Sequence, residues 1–193
     1  MAFFNWAAPM IHRFGQRWTP EDIDVMSAML RPYLVDEDAT LLDVGGGSGG
    51  LAVRLADALH RRVTVLDPTP ELLARMPDRP DVVGVQGVAE KMPFEDASFD
   101  AAAITDAFHH FANQDDAARE LHRVLRPGGG VLLHELDPRG WMRVIIWGEK
   151  LLGEPGSSME QDEMCRFMRA HGFEGTCTPR RGHGYQFSGV RGA

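Results

Sequence analysis

The chain is short of cysteine, of basic charge and of long apolar runs. Its 193 residues hold only 2 cysteines, Cys165 and Cys177. That is too few, and too widely spaced, for a CxxC redox pair or a four-thiolate zinc site, so both read as ordinary reduced thiols. Lys and Arg number 20 against 28 Asp and Glu, a formal net charge of −8, with a sequence pI near 5.4. Nucleic-acid affinity comes largely from clustered cations on phosphates, so this balance argues against a general nucleic-acid binder. No stretch reaches the ~20 apolar residues that span a bilayer. The apolar start, Met1 to Ile11, lacks the basic region and small-residue cleavage site of a signal peptide, and a cytoplasmic location is the expectation. There is no internal repeat and no low-complexity segment.

What is present is 44% apolar residues and 21 glycines in a pattern that alternates strand and helix. Thr19-Pro20-Glu21-Asp22 supplies an N-cap, a proline at the first helical position and acids in the first turn, predicting a helix to about Tyr33 with Val25, Met29, Ile23 and Met26 on its apolar stripe. Residues 39–44 form a short strand that breaks into Gly45-Gly46-Gly47-Ser48-Gly49-Gly50, and helical spacing resumes from Leu51 to Leu59. A second strand covers 62–67, and Thr69-Pro70-Glu71 restarts a helix. Further strands are expected at 82–86, 99–105 and 131–136, helices at 114–125 and about 159–171, and two final strands between 173 and 189. Such alternation implies an α/β domain with a doubly wound, mostly parallel sheet covered by helices on both faces. One domain over 1–193 is expected, divided into an N-terminal helical cap segment (1–38), a core (39–137), and a lid, last helix and hairpin (138–193).

The first strand–turn–helix carries the clearest chemistry. Glycines there let backbone approach a ligand while helix N-terminal amides face it. Asp67 follows Gly45 by 22 residues, at the end of the next strand, where a carboxylate can accept hydrogen bonds from both hydroxyls of a ribose. Gly45-x-Gly47-x-x-Gly50 also suits a dinucleotide, so a nicotinamide-dependent oxidoreductase stays open. Asp43, aimed at the loop, favours an ammonium-bearing nucleoside over a pyrophosphate.

The segment Leu41-Leu42-Asp43-Val44-Gly45-Gly46-Gly47-Ser48-Gly49 resembles the first motif of class I S-adenosylmethionine-dependent methyltransferases. Val65 to Leu73, Gly87 to Phe94 with Ser98-Phe99-Asp100, and Leu121 to Gly129 resemble its later motifs in the same order. The likeness covers about Leu41 to Glu135 and is best to the type 11 branch, which includes ubiquinone/menaquinone C-methyltransferases. It implies a Rossmann-like seven-stranded sheet ending in an antiparallel hairpin, with S-adenosyl-L-methionine as cofactor and S-adenosyl-L-homocysteine as product. By position it implies that Gly45, Gly46, Gly47 and Gly49 wrap the methionyl portion, with Asp43 near its ammonium and Asp67 on the ribose. Pro68 would flank adenine, Ala89 would offer its amide to the adenine edge between Val88 and Glu90, and Ile104 and Thr105 would meet the methionyl amine. Val88 stands where the branch commonly has Asp, a departure worth about 1 to 2 kcal/mol of binding on the scale of one hydrogen bond to a charged group.

The expected function is methyl transfer to a small, apolar or aromatic acceptor. The alternative is a domain that holds the cofactor without turnover. His109 is the candidate base, with His110, His134 and Glu135 nearby in the same rim. These four have no metal-ligand spacing, and no metal is expected. Trp141 to Leu152 reads either as a core-packing helix or as a lid that walls an apolar acceptor pocket with Phe3, Phe4 and Trp6, and Arg180, Arg181 and His183 read as a solvated basic turn.

Overall fold

The computed structural model describes residues 18–138, 158–180 and 184–193. Helix α1 (Pro20–Leu30) continues as a 3₁₀ turn to Tyr33 and precedes β1 (Thr40–Val44), α2 (Gly50–Leu59), β2 (Arg62–Asp67), the single turn α3 (Pro70–Leu73) and β3 (Val82–Gln86). Then come β4 (Phe99–Thr105), α4 (Gln114–Val124), β5 (Leu125–Leu136), α5 (Gln161–Ala170), β6 (Phe173–Pro179) and β7 (Gly184–Arg191). The seven strands form one sheet in the order β3-β2-β1-β4-β5-β7-β6. Strands β1 to β5 are parallel, and β7 lies antiparallel to both β5 and β6. The order reverses between β1 and β4, and in an open α/β sheet ligands bind at that switch point, beyond the carboxyl ends of the strands.

The sheet is parallel because its central strands are apolar on both faces. Every residue of β4 from Phe99 to Ile104 is buried, and alternate side chains feed two separate cores. Leu42, Val44, Ala102, Ile104 and Leu133 pack with Leu121 of α4 and Met164 and Met168 of α5. Leu41, Ala101, Ala103 and Leu132 pack with Met26 and Leu30 of α1 and Leu55 of α2. Cys165 and Cys177 are free thiols.

Three boundaries differ from the sequence expectation. In α1 the buried positions are Ile23, Met26, Ser27 and Leu30, whereas Val25 is 44% exposed. The helical period started at Ile23 runs through 26, 27 and 30 and leaves Val25 on the water side. Strand β5 begins six residues before Val131, because Leu125 pairs with Phe99 ahead of a register shift and the ladder resumes where Ala101 meets Gly130. There a Cβ on residue 130 would lie 2.1 Å from the Tyr33 ring, so glycine is the residue that admits the close approach. The helix expected after Thr69-Pro70-Glu71 is one turn only. The segment Trp141 to Leu152, with Phe3, Phe4, Trp6, Arg181 and His183, lies outside the described residues.

The start of α1 is a full capping box. The Asp22 amide donates to Thr19 Oγ1 at 3.2 Å, and the Thr19 amide donates to Asp22 Oδ2 at 2.9 Å. Thr19→Ala is expected to cost about 1 kcal/mol of unfolding free energy, read as a lower urea midpoint at unchanged slope.

Candidate cofactor and transfer site

Strand register brings the sequence-selected residues to one rim. Val44 pairs with both Leu66 and Ile104, and Thr105 with His134, so β2, β1, β4 and β5 end at the same level. Beyond Val44 the loop takes positive φ at Gly45, Gly47 and Gly49 before Gly50 opens α2. Two glycines are required by what surrounds them. At Gly46 a Cβ would sit 2.4 Å from Asp43 Oδ2 and 2.9 Å from Val65. At Gly47, φ is 57° and the amide donates to Asp67 Oδ2 at 2.9 Å.

Asp67 is held from both ends of its carboxylate, since Oδ1 also accepts the Thr69 amide at 2.8 Å. Burial raises its carboxyl, opposed by the two amide bonds. Each carboxylate oxygen has a second lone pair, so the pair retains the capacity to accept both hydroxyls of a diol.

Asp43 is fully buried on the α2 face of β1, directly under the loop, and neither of its oxygens has a hydrogen-bond partner among the described residues. Burial, with the Asp67 charge adding to it, pushes its carboxyl up to about 7. A buried acid without a partner is costly, and a cation placed above it would offset that cost. The orphaned carboxylate, the cradle at Gly46 and the amide-anchored Asp67 therefore fit an aminoacyl nucleoside.

The remaining expected contacts have distinct surroundings. Gly87 donates its amide to the Asp67 carbonyl at 3.2 Å, which places Val88 just past the end of β2. Val88 is exposed and Ala89 buried, in a turn closed by the Lys91 amide on the Val88 carbonyl at 3.2 Å. Glu90 Oε1 accepts the Asn113 amide at 3.2 Å, tying it to the start of α4. Pro68 is exposed. Ile104 has its side chain in the core, leaving only its backbone to face a ligand, and Thr105 is half-buried at the rim.

On the other half of the rim, His109 sits in a 3₁₀ turn (Phe108–His110). Its Nδ1 lies 2.6 Å from Glu135 Oε2, while Glu135 Oε1 accepts the Phe108 amide at 2.8 Å. The His110 ring lies 3.9 Å from that of His109, and burial, with His109's charge second, pushes it down to about 3. His134 packs on Trp18, ring centroids 5.6 Å apart, and burial lowers it to about 3, with Arg180 contributing. His134 and Glu135 are consecutive on β5 and point to opposite faces, so with His109 and His110 they do not converge on one point.

One participant is absent from the sequence reading and a second was misread there. Asp106, directly after β4, has φ 50° and donates its amide to the His134 carbonyl at 2.9 Å. Its side chain is exposed, and the protein around it, with Glu135, pushes its carboxyl up to about 6 against the pull of His109 and Arg180. A non-glycine left-handed residue is stored strain, and Asp tolerates it better than most, which is the signal that could have found it. Arg180 is no solvated turn residue: its guanidinium donates to Asp22 Oδ1 at 3.2 Å and lies 5.0 Å from the centre of the Trp18 ring.

Residues 42–133 match the methyltransferase domain family. A ubiquinone/menaquinone biosynthesis C-methyltransferase of Rubrivivax gelatinosus is 40% identical over 106 residues, covering 53% of this chain and 42% of that protein. An uncharacterized methyltransferase of Mycobacterium tuberculosis is 38% identical over 158 residues, covering 79% of this chain and 60% of its own. The chain thus spans less than two thirds of either relative. Among solved structures, a chain from the complex between a Haloferax volcanii methyltransferase activator and a methyltransferase superposes with a TM-score of 0.80 at 20% identity, over 99% of this chain and 96% of that one. That likeness shows the Rossmann-like fold. No described helix is long and apolar enough to cross a membrane.

Proposed function

Residues 42–133 belong to the class I methyltransferase domains of the type 11 branch, and on that premise we propose that the protein binds S-adenosylmethionine and transfers its methyl group to a small apolar or aromatic acceptor. The observation that carries the reading is Asp43, a fully buried carboxylate with no partner among the described residues, beneath a glycine loop and beside Asp67. Asp43 would face the ammonium, Gly45, Gly46, Gly47 and Gly49 would wrap the methionyl chain, and Asp67 would take the ribose. Pro68 and the turn Val88-Ala89-Glu90 would border adenine, with the backbone of Ile104 and Thr105 closing the methionyl side.

When bound, the cofactor supplies an electrophilic methyl on a sulfonium and leaves as the thioether S-adenosylhomocysteine. The protein's own contribution is to hold the acceptor in a near-attack position and to exclude water. For an acceptor that loses a proton, His109 is the base. The apolar and aromatic character proposed for the acceptor draws support from Phe111, half-buried beside the loop where a Cβ on Gly45 would lie 3.9 Å from its ring, and from the quinone-pathway name of the Rubrivivax relative.

Isothermal calorimetry with S-adenosylhomocysteine is expected to show one site per chain, and absence of binding to the wild type overturns the proposal. A second reading, a domain that holds the cofactor without turnover, is favoured by the exposed Val88 on the adenine side. Release of S-adenosylhomocysteine with any member of a panel of quinols, phenols and amines excludes it.

A further inference from the structure

We propose that Glu135 is the positioning residue of the transfer site, holding His109 in the one tautomer whose Nε2 can take a proton. The inference rests on the methyl-transfer reading and adds to it a residue that the sequence leaves as one of several on the rim.

Glu135 is buried at the end of β5, on the face opposite His134. Its two oxygens engage two consecutive residues of the turn after β4: Phe108 through the backbone amide at 2.8 Å and His109 through Nδ1 at 2.6 Å. The first bond fixes the turn relative to β5, and the second fixes the ring relative to the turn. A carboxylate accepts only, so the short contact requires the hydrogen on Nδ1 and makes Nε2 the basic nitrogen of the neutral ring. This is how a carboxylate orients a catalytic imidazole without itself exchanging the proton.

The groups packed around the pair leave it that role. His110 is held neutral by burial beside His109. Tyr185, on β7 across from Glu135, donates its hydroxyl to the Met159 carbonyl at 2.9 Å, and burial keeps its phenol protonated. Asp106, exposed directly after β4, feels the charges of both Glu135 and Arg180. In the reaction the acceptor's nucleophilic atom would bond to the methyl carbon as the carbon–sulfur bond breaks with its electron pair left on the thioether, and the acceptor's hydrogen would pass as a proton to His109 Nε2. His109 becomes an imidazolium beside the Glu135 carboxylate.

The test reads the tautomer in the full chain without cofactor, from imidazole nitrogen NMR at about pH 8, with His109 assigned by its loss in His109→Asn. The wild type is expected to show a majority Nδ1–H form. Glu135→Gln, whose amide oxygen still accepts, keeps it, whereas Glu135→Leu reverts to the Nε2–H majority of free histidine. S-adenosylhomocysteine affinity, by calorimetry, changes by less than about twofold in both variants. Nε2–H at His109 in the wild type, an unchanged tautomer in Glu135→Leu, or cofactor affinity lost in step with cooperative unfolding in both variants overturns the proposal. Failure of the wild type to bind S-adenosylhomocysteine overturns the methyl-transfer reading instead, and the tautomer measurement stands apart from it.

Discussion

Asn at position 43 is expected to make the cofactor-free protein more stable and its S-adenosylmethionine complex weaker. Burial holds the Asp43 carboxyl at about 7, against 3.8 for an ordinary aspartate. Between those values the folded state keeps a proton that the unfolded state has released. Stability therefore falls as pH rises through that window and levels off above it. At about 1.4 kcal/mol per unit, the penalty at pH 8 is roughly 4 kcal/mol. Asp43→Asn removes the charge but still buries an amide, so a net gain of about 1 to 3 kcal/mol is expected at pH 8, or roughly 3 to 10 °C in Tm for a chain of this size. The gain should shrink as pH falls toward 3.8 and be gone at about pH 3, where the acid is mostly protonated in both states. Loss of the charge under the ammonium should weaken cofactor binding by about 10- to 100-fold. Calorimetric melts at the two pH values and titration with S-adenosylmethionine check both halves. A variant no more stable than wild type at pH 8 contradicts the assignment of Asp43 as a strained acid awaiting a cation.

Asp67→Ala should have the largest effect on binding, about 100-fold or more, because one substitution removes the ribose acceptors and the anchor of the loop. The Gly47 and Thr69 amides, now bonded at 2.9 and 2.8 Å, lose their acceptors together. Unfolding free energy should fall by about 1 to 2 kcal/mol in consequence. Asp67→Asn, which keeps an acceptor oxygen, should retain most of the stability and lose most of the binding. A coupled effect is also expected: the Asp67 charge contributes to the raised Asp43 carboxyl, so removing it should move the pH-dependent loss of stability to lower pH. An Asp67→Ala protein that binds S-adenosylhomocysteine like the wild type would refute the placement of the ribose.

The glycine loop and its acidic partner were readable because they are local. Val44 to Gly50 and Val65 to Asp67 are each a strand end and its turn, and the glycine content and the terminal acid carry their chemistry wherever the strands lie. The parallel core was readable for a similar reason: strands covered on both faces are continuously apolar, as at residues 99–104. The transfer half was readable as residues on a shared rim but not as a contact. His109 and Glu135 are 26 residues apart in sequence and meet only because β4 and β5 are neighbours whose ends align at Thr105 and His134, a pairing that neither segment encodes alone. Arg126-Pro127-Gly128-Gly129 reads as a turn, and Gly128 does take φ 77°, yet the Leu125 to Phe99 pairing draws the segment into the strand. Val25 was misplaced because Val25 and Met29 also satisfy helical spacing, and only the packing of α1 against the sheet selects between the two stripes.

The position of β7 bears on the order in which the chain is made. Strand β6 emerges from the ribosome first, but its one partner among the described residues is β7, which slots between it and β5. Until residues 184–191 are available, β5 presents a bare edge at the strand that carries Glu135, and β6 has nothing to pair with. The ion pair between Asp22 and Arg180, 158 residues apart, likewise waits for the last hairpin. The outer edge of β5 is thus covered only after residues 184–191 are made. The glycine loop and Asp67, complete by residue 67, are made long before.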